Sequence, residues 1–264
     1  MSVGFSYTFG LDKATLSAAI QALGRKPGIS EFDLAREIGV GGKKGIAYNA
    51  WLLYLGFRNP SARELSSLGR LVLTMDPHLD SAVSQQLLHY QLCSNPNATV
   101  WWTLANQVIP RLNEISIAKA TQALKSMGIG ITNMKNMRSD IGIFFATYAP
   151  DRILGPLNYL KMVGVDTYVP NKPELNPLLL AFILYGRREG KLRTSTTSIE
   201  SIMSEDGQAG KIFLLARDHL LDLLRQLEFK GIITVARVAD LDNIGYTFEG
   251  EAIDILRMCY KEAR

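Results

Sequence analysis

Cysteine is nearly missing: the 264 residues include two, Cys93 and Cys259, far apart and without metal-ligand spacing. That argues against a disulfide framework and a structural zinc site. No apolar run approaches the roughly 20 residues that span a bilayer. The opening stretch, Met1 to Gly10, lacks the charged segment and apolar block of a signal peptide. A strong excess of one charge is also lacking, since 29 Lys+Arg stand against 25 Asp+Glu, a net +4. This permits an anionic partner without demanding one. What is present is a chain 47% hydrophobic and 20% charged, enough to fill a core. The expectation is a cytoplasmic protein with free thiols and no membrane partner, sized for one large domain or two small ones.

The first quarter reads as short helices. Asp12 can cap a helix from Lys13 to Leu23, with Leu16, Ile20 and Leu23 on one stripe, ended by Gly24 and Pro27. Ser30 opens a second, Glu31 to Ile38, and the turn Gly39-Val40-Gly41-Gly42 leads to a third from Lys43 to Leu55. Helix, glycine turn, helix is the helix-turn-helix pattern. A ribbon or loop among Phe57–Pro60, Arg63–Leu65 and Leu68–Leu73 would supply the wing. The glycines do not make a nucleotide loop, which needs Gly-x-x-x-x-Gly-Lys-Ser/Thr between strand and helix. Residues 76–149 read as helical. Pro150, Pro156, Pro170, Pro173 and Pro177 mark a linker region. The last third repeats the plan: helices at 177–190, 198–203 and 218–229, a strand at 231–238, a turn at Asp240 to Asn243 and a returning strand at 245–248. The fold expected is mainly α with small β-hairpins. An N-terminal winged helix-turn-helix (1–75), a helical middle (76–150) and a C-terminal winged-helix-like domain (151–264) follow one another.

Lys43 and Lys44 open the expected recognition helix, where free N–H groups and positive partial charge attract phosphate. Tyr48 and Asn49 lie within reach of base edges, and Arg58, Arg63 and Arg70 decorate the wing. Asp76, His78, Asp80 and His89 could together hold Mg²⁺ or Mn²⁺ and activate water. The same residues fit plainer roles: Asp76-Pro77 a turn, Asp80-Ser81 a helix cap, and His89 a hydrogen-bonded core histidine. Asp140 with Arg138 reads as an ion pair. Of the adjacent Trp101 and Trp102, about 100° apart on a helix, one is expected in the core and one part-exposed. Arg187, Arg188, Lys191 and Arg193, with Thr194 to Thr197, read either as a phosphate-contacting loop or as a solvated one.

Several blocks resemble a bacterial family long of unknown function. They are Leu68-Gly69-Arg70-Leu71 leading to Asp76-Pro77-His78-Leu79-Asp80, Leu87 to Leu92 with Trp101-Trp102, Arg138 to Tyr148, and Gly207-Gln208-Ala209-Gly210-Lys211-Ile212-Phe213. The family sits beside sulfurtransferase-like genes in DNA phosphorothioation and phage-defence operons and is similar to the DNA-nicking component SspB. The chain departs at Phe5 to Phe9, which lacks the family's histidine, and at Gly39 to Gly45, where the turn and the bases are kept and the family's amide is lost. The resemblance implies DNA as partner, with sulfurtransferase-like and ATPase proteins of the same operon. Three functions follow as expectations: DNA binding through the winged helix, metal-dependent nicking with Mg or Mn as cofactor, or an adaptor role. Two wings also admit a homodimer.

Overall fold

The computed structural model describes residues 3–189, 196–238 and 241–263. It is mainly helical with two small three-stranded antiparallel sheets, and it divides into two compact units, Met1–Asn171 and Lys172–Arg264. Among the described residues no helix is long and apolar enough to cross a membrane.

The first unit opens with α1 (Lys13–Arg25), α2 (Glu31–Glu37) and α3 (Gly42–Tyr54). Asp12 caps α1 by accepting from the Thr15 amide at 2.9 Å, and Ser30 caps α2 by accepting from the Asp33 amide at 3.1 Å. Gly39 turns the chain with φ +69°, a conformation that costs glycine least. No side chain caps α3. The absence of a side chain at Gly45 lets α3 lie directly on α2, because a Cβ there would collide with Ala35. After α3, Arg58 bridges Leu65 in a narrow antiparallel ribbon, and the Asn59 amide donates to the Glu64 carbonyl at 2.8 Å.

Residues 68–73, expected as ribbon or loop, belong instead to helix α4 (Ser67–Met75). Ser66 caps it, and Gly69 lets it approach the Phe57 carbonyl closely. Helices α5 (Ala82–Ser94), α6 (Thr99–Thr103, continuing as a π-helical turn through Val108), α7 (Ile117–Ser126) and α8 (Met134–Thr147) follow. Trp101 is fully buried and Trp102 half-buried, as the helical angle between them requires. The proline-marked stretch holds a hairpin, β2 (Leu160–Gly164) and β3 (Thr167–Pro170), with β3 also pairing β1 (Ile115–Ser116). It is not a bare linker: Pro156 sits in a 3₁₀ turn, Pro170 ends β3 and Pro177 begins the next helix, all positions that tolerate proline.

The second unit contains α9 (Pro177–Glu189), β4 (Thr196–Ser198), α10 (Ile199–Ser204), α11 (Ala209–Ile212), α12 (Arg217–Phe229), β5 (Ile233–Val238), β6 (Leu241–Tyr246) and α13 (Ala252–Glu262). The strand order is β4-β6-β5. The returning strand starts earlier than expected: Asn243, assigned to a turn, pairs with both Ser198 and Ala236. Asp240 of the same turn lies outside the described residues. Buried Tyr185 pins this sheet to α9, donating its hydroxyl to the Ile232 carbonyl at 2.6 Å and accepting from the Phe248 amide at 2.8 Å.

Asp140 on α8 is buried, and one of its oxygens accepts from the Gly4 amide at 2.6 Å while the other has no partner. It does not pair with Arg138. Two residues apart on a helix point to different sides, and Arg138 is exposed. Burial pushes the Asp140 carboxyl up to about 6, against the lowering effect of the Gly4 amide.

Two outcomes are expected. Gly45→Ala should push α2 off α3 and destabilise by about 1–3 kcal/mol, measured by urea unfolding. For Asp140, the folded acid holds its proton more tightly than the unfolded one. Its contribution is therefore fully present below the unfolded value near 4 and is lost as pH rises through about 6. Asp140→Asn should remove that loss and stabilise the protein at pH 7 by at most ~3 kcal/mol; equal unfolding midpoints at pH 5 and 7 in the parent would contradict this.

Candidate nucleic-acid interface

The first turn of α3 presents Gly42 and Lys43 to solvent. Lys44 is half-buried, with its ammonium 5.7 Å from the Tyr48 ring centre. It lines a cavity of about 580 Å³ together with Asp12, Tyr48, Ser139, Thr147 and Arg152. Burial pushes the Asp12 carboxyl up, but hydrogen bonds from Thr15 and the nearby Lys44 and Arg152 outweigh it and hold the acid below its usual range. Arg152 and Ser139 had no local signal in the sequence, since only the folded chain brings them to α3.

Tyr48 and Asn49, expected at base edges, are both turned inward. The Tyr48 hydroxyl accepts from the Asp12 amide at 2.7 Å and donates to the Gly10 carbonyl at 3.0 Å, and burial pushes its pKa up to about 12. The Asn49 amide donates to Glu31 Oε1 at 2.7 Å, tying α3 to α2. Arg58 is buried in the ribbon, with its Nε unpartnered. Arg63 is exposed at the ribbon's end, with its own carbonyl accepting from the Gly28 amide at 3.1 Å. Arg70 reaches from α4 back onto the ribbon, bonding Glu64 Oε2 and the Leu65 carbonyl, each at 3.1 Å. Of the cations named on this module, Lys43 and Arg63 therefore remain outward and outside any ion pair.

The acid–histidine group does not come together. Asp76 is buried at the C-terminus of α4 and serves the start of α5, accepting from the Asp80 and Ser81 amides at 3.1 and 2.9 Å and from the Ser84 hydroxyl at 2.6 Å. Asp80 is exposed and pairs with Lys13. His78 is exposed. His89 is fully buried, its Nδ1 2.7 Å from the Tyr148 hydroxyl and its ring 4.5 Å from that of Tyr159. Among the described residues no three His, Cys, Asp or Glu side chains are placed to hold a metal ion. These four residues do not fit a Mg²⁺ or Mn²⁺ donor set; the turn expected at Asp76-Pro77 forms, with the Leu79 amide donating to the Asp76 carbonyl at 3.1 Å, and His89 sits in the core. Ser81, rather than Asp80, is the residue that caps α5.

In the second unit, Arg187 and Arg188 lie half-buried near the end of α9. Of the basic loop expected beyond them, Lys191, Arg193, Thr194 and Ser195 lie outside the described residues.

Residues 7–260 match the family model DUF4007, described as a protein of unknown function. Among curated proteins no sequence matches. Two solved structures share the fold. A magnesium ion-bound SspB crystal structure matches with a TM-score of 0.81 at 17% identity, covering 100% of this chain and 89% of that one. A second SspB crystal structure matches with a TM-score of 0.80 at 18% identity and the same coverage. At these identities the likeness speaks for the fold alone.

Replacing Asp76 with alanine should leave the two amides at the head of α5 and the Ser84 hydroxyl without their acceptor. The expected result is a loss of about 1–3 kcal/mol in stability, read by thermal unfolding; an unchanged midpoint would remove Asp76 from this structural role.

Proposed function

The chain belongs to the DUF4007 family, and from that premise we propose that it is a DNA-binding component of a bacterial phosphorothioation or related phage-defence system. On this reading it works in the cytoplasm, beside sulfurtransferase-like and ATPase partners. The α1–α3 helix-turn-helix meets the duplex, and the Arg58–Leu65 ribbon serves as a short wing. One observation supports this above the others: Lys43 stands exposed in the first turn of a 13-residue helix whose N-terminus has no side-chain cap. The open N–H groups, the helix dipole and the ammonium all favour a backbone phosphate at that point.

The inward Tyr48 and Asn49 give the binding its character. With both held by Asp12, Gly10 and Glu31, α3 offers phosphate contacts and few base contacts. Phosphate contacts set affinity and register and carry no sequence code of their own. Binding of this kind is salt-sensitive and tolerant of sequence.

Duplex affinity measured by fluorescence anisotropy across a salt series tests the reading. Lys43→Ala should weaken binding on every duplex alike and make the slope of log K against log[salt] less negative by about 0.9. An unchanged slope would take Lys43 out of the interface. Supercoiled plasmid in a parallel incubation should stay closed; open-circle product that disappears with EDTA would turn the assignment toward a nicking enzyme.

A further inference from the structure

We propose that the second unit carries a subsite for a phosphate group, walled by Arg187, Arg188, Thr197, Ser201, Gln208 and Tyr246. The proposal stands independently of the α3 interface. These residues line a cavity of about 260 Å³. That is below the roughly 300 Å³ at which sites for drug-sized ligands begin, so it suits a small group rather than a whole nucleoside. Its lining includes two arginines and several hydroxyl-bearing residues, and among the described residues no acid lines it.

The wall is built, and part of it lacks partners. Gln208 is 3% exposed, and its side-chain Oε1 is buried with no hydrogen bond. Arg187 is fixed in place, its two terminal nitrogens donating to the carbonyls of Gly207 at 3.0 Å and Asp206 at 3.3 Å. Carbonyls hold a guanidinium without cancelling its charge, and the Arg187 Nε remains buried and unpartnered. Buried polar groups left in this state cost about 1–3 kcal/mol each and call for an explanation. The Gln208 amide can turn about its last bond to offer either its oxygen or its N–H₂.

The remaining residues fix the shape. The Arg188 guanidinium carbon sits 4.8 Å from the Tyr246 ring centre, which orients its planar fork. The Tyr246 hydroxyl is 2.7 Å from the Thr197 hydroxyl, which holds both at the wall. Ser198 caps α10 by accepting from the Ser201 amide at 3.1 Å, and both residues line the cavity. Side chains from α9, β4, α10, β6 and the turn before α11 line the cavity on several sides, which suits a tetrahedral oxyanion better than a planar one. Such a phosphate can be a free ion or monoester, or one link of a nucleic-acid backbone.

Calorimetric titration of the full chain with inorganic phosphate, with a thymidine dinucleotide and with acetate tests the site. Saturable phosphate binding with none for the dinucleotide supports a free phosphate or monoester. Binding of the dinucleotide supports a backbone link. No saturable binding of either at millimolar concentration, or acetate binding as tightly as phosphate, overturns the proposal. Arg188→Gln should weaken binding about tenfold, and Gln208→Glu should abolish it by placing a negative charge in the wall. Should Gln208→Glu fail to fold by circular dichroism, Arg188→Gln and Ser201→Ala decide, and unchanged affinity in both overturns the site. The phosphate arm contains no DNA, so its failure leaves the α3 interface standing.

Discussion

The aromatic core of the first unit determines what helix α3 can present. Phe5 packs on Trp51 at 4.7 Å, Trp51 on Trp101 at 5.3 Å and Trp101 on Phe144 at 5.8 Å between ring centres. These four rings tie the N-terminal segment, α3, α6 and α8 into one cluster. Large edge-on aromatic pairs contribute both area and geometry to a core. Because Trp51 is buried there, Tyr48, three residues earlier on the same face, is buried with it, while Asn49, on another side of α3, is buried against α2 through Glu31. Of the charged and polar residues on α3 that were candidates for DNA contact, only Lys43 is left fully exposed.

Short-range signals in the sequence were sound where a local rule decides the outcome. Asp12, Ser30 and Ser81 each cap the helix that follows, and a side-chain oxygen beside free amides needs no distant partner to do so. The split of Trp101 and Trp102 between core and rim follows from helical geometry alone. Long-range packing was not legible. Residues 68–73 are apolar and short enough for strand or helix, and contact with Phe57 decides the matter. Helix α13 carries a capping box at Glu251 and Asp254, a local signal that the sequence itself displays. Tyr48 and Asn49 could not be placed from spacing, because the partners that hold them, Gly10, Asp12 and Glu31, sit on other elements.

The acid–histidine group shows the same limit from the side of chemistry. Asp76, His78, Asp80 and His89 share residue types with hydrolytic metal sites. In the structure they sit at different depths: two buried and hydrogen-bonded, two in solvent. A carboxylate that already accepts from two amides and a hydroxyl has committed three of its roughly four lone-pair sites to the chain. A histidine among Tyr148, Tyr159 and Cys93 is enclosed by groups that burial keeps protonated, with the Cys93 thiol pushed up to about 12. Residue type gives the chemistry a side chain could do, and depth with partners decides whether it is available.

Net charge has the same weakness as a guide. The +4 of the chain is spread over 29 cations, and many are matched on the spot: Arg25 and Lys26 by Glu37, Arg70 by Glu64, Lys211 by Asp206. A matched surface pair adds little attraction for a distant phosphate, because the two charges cancel within a Debye length. What counts is positive charge that its surroundings leave uncancelled. Lys43 meets that condition by exposure. Arg187 meets it differently, held by neutral carbonyls beside a cavity that no acid lines among the described residues. The two positions belong to different units and rest on different physics: a helix end open to solvent, and a buried polar wall short of one partner.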